Sequence, residues 1–155
     1  MTRQTIRQKS TDTNYFHRDF HIALNYGIIY LQQKFGKESV RDYLAQFANS
    51  YYAPLKNRLI GTGLSAIKEH YEKTYKTEGA QYEMNMSDDE LRLHLFASPA
   101  VGHIKASGHQ ASPHFHETVL TVNREICRDT PFDCEMTDYD FENGAYRLRF
   151  FKREP

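Results

Sequence analysis

Apolar residues recur with a period of two in two separate stretches of this 155-residue chain, and a helical stretch lies between them. In the first, "QYEMNM" sets Tyr82, Met84 and Met86 against polar neighbours, "SDDE" supplies a turn, and "LRLHLFA" sets Leu91, Leu93 and Leu95 against Arg92, His94 and Phe96. In the second, "FDCEMTDYDF" leads through "ENG" into "AYRLRFF". Successive side chains of a strand point to opposite faces, so each stretch reads as a hairpin with one apolar face. Asn143-Gly144 favours the positive backbone angles of a tight hairpin turn. Two hairpins joined by helices predict one four-stranded antiparallel sheet from Tyr82–Met86, Leu91–Phe96, Asp133–Tyr139 and Ala145–Phe151, covered by helices. The fold class is α+β: three N-terminal helices, then two β-hairpins separated by two helices.

The helices follow from a period near 3.6. From Asp12 to Phe35, the positions Phe16, Phe20, Ala23, Leu24, Gly27, Ile28 and Leu31 fall at helical spacing, and Gly36 offers a stop. A second pattern through Val40, Tyr43, Leu44, Phe47, Ala48 and Tyr51 meets Pro54, which kinks it or starts a short following helix through Leu55 and Leu59. A third runs from about Leu64 to Thr77 on Leu64, Ile67, Tyr71 and Tyr75. Ser98-Pro99 opens a short helix to about Ser107, and Ser112-Pro113 opens a longer one carrying Phe115, Val119, Val122 and Ile126. In both, Ser is read as the N-cap and Pro as the first helical residue. Residues 1–11 are polar and aperiodic and read as a frayed leader, and residues 12–155 as a single domain.

Lys plus Arg balances Asp plus Glu at 20 each, which removes the basic stripe that nucleic-acid binding requires. No apolar run approaches the roughly 18 residues of a membrane span, and the N-terminus lacks an apolar signal region. Cys127 and Cys134 are too few for a secreted disulfide scaffold. The expectation is a cytoplasmic protein with a small-molecule ligand, no nucleic-acid or membrane partner, and scope for a homodimer. Eleven Tyr and ten Phe point to an aromatic core and pocket.

Several residues are candidates for chemistry. His17 and His21, four apart, share a helix face at a spacing that metal sites use, but Arg18 stands where an H-E-x-x-H motif has Glu. A divalent metal is thus allowed, and no cofactor is required. His114 and His116, placed in the first turn of a helix, would diverge by about 200°. Ser98 with the backbone N–H groups of Ala100 and Val101 forms a helix start able to accept a carboxylate, and His103 follows one turn later as a proton donor or water holder. An ordinary capped helix explains the same residues. Cys127 sits at a helix C-terminus, where its thiol needs Arg124 or Arg128 to become reactive; Cys134 reads as a small buried residue.

The stretches "FHRDFHIALNYGIIYL", "YAPL" and "SPAVGHI", and a C-x6-C spacing followed by "ENGAYRLRFFKRE", make the chain after Thr11 resemble the L-2-amino-thiazoline-4-carboxylic acid hydrolase family. This resemblance implies a small-molecule hydrolase that opens a thiazoline ring bearing a carboxylate, on a fold akin to vinyl-reductase-like ligand-binding domains. Where relatives often carry Cys, this chain has Ser98, and it also lacks a Cys near Tyr146, so any chemistry that needs those thiols is in doubt. The catalytic candidates are His21, His103 and Cys127, with Ser98, Ala100 and Val101 as ligand contacts. The alternative is a non-catalytic binding or sensory module that uses the same pocket.

Overall fold

The computed structural model describes residues 18–154. The leader, the first turns read into the first helix, and His17 lie outside the described residues. The elements in chain order are α1 (Asp19–Phe35), α2 (Lys37–Tyr51), α3 (Ala53–Thr62), α4 (Leu64–Glu78), β1 (Tyr82–Met86), β2 (Glu90–Leu95), α5 (Pro99–Ala106), α6 (Glu117–Cys127), β3 (Phe132–Tyr139) and β4 (Tyr146–Lys152). The fold is α+β, with an open antiparallel sheet in the order β1-β2-β4-β3.

Both hairpins form with the expected faces. Leu91, Leu93 and Leu95 of β2 sit opposite Phe150, Leu148 and Tyr146 of β4, and all six are buried. Taking each such leucine out of water contributes roughly 1.5–3 kcal/mol. Arg92 and Arg147 occupy the alternate positions and are exposed. α4 and α6 pack on the apolar face, α2 packs on α6, and α1 rests on α2 and α5. One departure from strict alternation lies in β3, where a bulge between Met136 and Asp138 places Tyr139, rather than Asp138, opposite Tyr146. The extra residue turns an aromatic ring onto the face that packs against the helices.

Two helical expectations need correction. The chain has four described helices before the first hairpin instead of three, because the second pattern divides at Tyr52. Pro54 has no N–H for the carbonyl four residues back, so α2 stops at Tyr51 and α3 starts at Ala53 with Pro54 in its first turn, where no donor is needed. The longer helix after Ser112-Pro113 begins at Glu117, four residues later than expected. Ser112 donates its N–H to Asn25 Oδ1 at 2.7 Å, and its Oγ accepts from His114 N at 3.1 Å. Residues 113–116 pass through turns closed by bonds such as Phe115 N to Ser112 O at 2.9 Å and Glu117 N to His114 O at 3.0 Å before the α-helix is established. Among the described residues, no helix is long and apolar enough to cross a membrane.

Candidate functional site

α4 supplies one wall of a cavity of about 200 Å³ between the helices and the sheet. Tyr71, Tyr75 and Glu78 lie at i, i+4 and i+7, so one stripe of the helix faces inward and ends on a carboxylate. α1 contributes Phe20, His21 and Leu24, and the sheet contributes Tyr139 and Tyr146, the first brought there by the bulge.

Four polar side chains of this aromatic lining, Tyr71, Tyr75, Asn123 and Tyr146, are paired. The hydroxyls of Tyr75 and Tyr146 share a hydrogen bond, and Asn123 Nδ2 donates to Tyr71 Oη at 2.6 Å and to Val119 O at 2.8 Å. Burial pushes the Tyr71, Tyr75 and Tyr146 phenols well above the usual tyrosine range. They therefore stay as neutral hydroxyls, each able to donate and accept.

His21 and Glu78 stand at one end. Nε2 of His21 lies 3.8 Å from Oε1 of Glu78, beyond direct hydrogen-bond length. Burial, with the nearby His103, lowers the His21 imidazole, while burial raises the Glu78 carboxyl against the opposing pull of Arg18. The two proton affinities are thus shifted toward each other, in a pair that stands 3.8 Å apart. A second cavity of about 260 Å³ shares His21, Glu78 and Pro99 with the first and adds Arg18, Gly102, His103 and Ala106. The pair thus stands where the inner aromatic cavity meets an outer vestibule.

The other expected site residues fall in different places. His103 lines the vestibule, with Nε2 3.1 Å from Oδ1 of Asp19. Ser98 and Ala100 line the inner cavity; Val101 does not, and its N–H donates to Ser98 Oγ at 3.3 Å. Part of the helix-start acceptor site is therefore occupied by its own cap. Cys127 is fully buried outside the lining of both cavities, and burial, aided by Asp133, pushes its thiol up to about 12. Arg128, one of the two arginines that could have offset this, pairs with Glu125 at 3.1 Å. The expectation of a reactive Cys127 is corrected: at neutral pH this is a packed thiol.

Among the described residues, no group of three or more His, Cys, Asp or Glu is placed to hold a metal ion. His114 and His116 do not diverge as a helical turn would require, because they sit in turns; their ring centroids are 6.4 Å apart. His116 packs on Tyr139 and Phe141, and His109 Nδ1 meets Tyr26 Oη at 2.8 Å. The histidine-rich connection is largely a polar crossing pinned to the helices.

Sequence reasoning missed Glu78, Asn123 and the tyrosine pair. The available signal was the continuation of the Tyr71 and Tyr75 stripe to Glu78 just before the Gly79 stop. No family model matches the chain, and no curated protein matches it either.

Proposed function

We propose that the protein binds a small, mainly apolar heterocycle in the tyrosine-lined cavity, with the ligand's polar edge turned toward His21 and Glu78. The observation that carries this reading is the position of that pair at the junction of the two cavities. A volume of about 200 Å³ is below the range typical of drug-sized ligands, so a single small ring system is the appropriate size. The neutral phenols and Asn123 offer donors and acceptors for ring heteroatoms without demanding a charge.

The converging proton affinities of His21 and Glu78 favour a second, catalytic reading. Neutral His21 would take a proton from a water attacking a ring C–N carbon, Glu78 would stabilise the imidazolium, and the proton would pass to the departing nitrogen. This fits the hydrolysis of a carboxylate-bearing heterocycle, the class to which the resemblance to the L-2-amino-thiazoline-4-carboxylic acid hydrolase family points. Cys127 takes no part.

A thermal-shift series with small heterocycles, with and without a carboxylate, tests binding. Stabilisation by at least one, weakened in Tyr75→Phe and His21→Ala, is the expected result; indifference of every ligand response to both substitutions would remove the cavity from consideration. Mass-spectrometric detection of ring-opened product, lost in His21→Ala and Glu78→Gln, separates the hydrolase from the binding module.

A further inference from the structure

α1 carries exposed aromatic rings on the side turned away from the core. Its inner side buries Asn25 and Ile28 against the body of the protein. Its outer side carries Asp19, Ala23, Tyr26, Gly27, Tyr30, Gln33 and Lys34, which share one face at helical spacing and are all exposed. Tyr26 is 50% exposed and Tyr30 56%, and a Cβ added at Gly27 would meet nothing within 4 Å. The Tyr26 ring is also held in place, by the bond to His109 and by an edge contact with its imidazole at 5.4 Å between centroids. A fixed aromatic ring standing in solvent is the kind of residue that anchors an interface.

We infer that the occupant of this face is a second copy of the chain, with the two α1 helices antiparallel about a two-fold axis beside the Tyr26–Gly27 peptide. The order of residues is self-complementary about that point. Asp19 of one copy falls opposite Lys34 of the other, Tyr30 opposite Ala23, and Tyr26 opposite Gly27. Each large ring meets a small residue, and each end pairs opposite charges. The Asp19 side chain is 86% exposed and engages His103 through Oδ1, which leaves Oδ2 for a lysine. A two-fold contact requires this correspondence of residue i with j and j with i. A parallel arrangement would instead stack like on like, with rings facing rings and Asp19 facing Asp19. The helix is about 25 Å long, so the contact falls at the small end of interface sizes and the dimer is concentration-dependent.

Sedimentation equilibrium of the full chain over a concentration series is the test. A monomer–dimer equilibrium is expected, abolished by Tyr30→Glu. Asp19→Lys and Lys34→Asp should each weaken it by about tenfold or more, and the two together should restore it, because the pair is re-formed with its signs exchanged. Gly27→Cys should form a disulfide-linked dimer under mild oxidation, since Gly27 is exposed while Cys127 and Cys134 are buried. Circular dichroism confirms that each variant is folded. A chain that stays monomeric throughout, with α1 covered by residues 1–17 or by another partner, overturns the inference. So does a dimer that ignores Tyr30→Glu and is not restored by the double exchange.

Discussion

α5 and α6 each follow a Ser-Pro pair, yet the two junctions are built differently. At the first, Ser98 is extended, at φ −80° and ψ 119°, and its Oγ accepts from Val101 N three residues on, while its own N–H donates to Asn143 O at 2.9 Å. The helix starts at once. At the second, the Ser112 N–H is taken by Asn25 of α1, whose Nδ2 also holds Gln110 O at 2.9 Å, and Ser112 Oγ reaches only to His114. The helix waits until Glu117. A Ser-Pro pair supplies a local acceptor and a pre-set backbone angle, and the long-range partner of the serine's own backbone decides whether a helix follows immediately.

The partner at the first junction is the tip of the second hairpin, and breaking that contact should produce the largest effect. Gly144 has φ +69°, and a Cβ there would come within 2.6 Å of Val101 Cγ2 and 2.7 Å of Ser98 Cβ. Gly144→Ala therefore combines left-handed strain with overpacking, and it should destabilise the protein by about 4 kcal/mol in urea denaturation. The same change displaces Ser98 and residue 144 in the cavity wall, so ligand stabilisation should fall with it. A loss below about 1 kcal/mol would mean that the hairpin tip slides freely over α5.

The second junction rests on charge. Glu117, at the start of α6, is buried; it accepts from Arg41 Nε of α2 at 2.9 Å and from Thr121 Oγ1 at 2.6 Å. Burial alone would raise its carboxyl, but the hydrogen bonds from Thr121 and Arg41, together with the His116 imidazole 3.6 Å away, outweigh it and bring the group down to about 2. Because the folded value lies below the unfolded one, the stabilisation is complete above about pH 5 and disappears as pH falls toward about 2. From that displacement, Glu117→Gln should cost about 3 kcal/mol at pH 7, and the gap to the parent should close across that acid range. A gap that stays constant with pH would show that shape, not charge, fixes the second junction.

These junctions also show which parts of the molecule could be read in the chain. The hairpins were legible because Leu91, Leu93 and Leu95 leave no ambiguity about which face is buried. The β3 bulge was not read, although strict alternation from Cys134 and Met136 would put Asp138 on the apolar face, the place that the extra residue gives to Tyr139. Glu78 reads as the polar end of a helix until the sheet places Tyr146 across from Tyr75. The delayed start of α6 depends on Asn25, 87 residues before Ser112, and an asparagine within an apolar helix gives no sign of which backbone it will hold. His21 stands out in the sequence through its spacing from His17, whereas Glu78, 57 residues on, comes within 3.8 Å of it only in the folded chain.

The smallest effect separates the two serines most directly. Ser98→Ala removes a true cap and should cost about 1 kcal/mol, with faster hydrogen exchange at the Val101 amide, whose acceptor is lost. Ser112→Ala should cost about half as much, since only the turn at His114 loses a bond. The exchange pattern carries more information than the energies. If Ser112 does not cap α6, its replacement should speed the His114 amide and leave Val119 and Leu120 unchanged, because both of those donate to His116 O, beyond the serine's reach. Faster exchange at Val119 and Leu120 in Ser112→Ala would show that the serine does control the helix start, and that the two Ser-Pro junctions work alike after all.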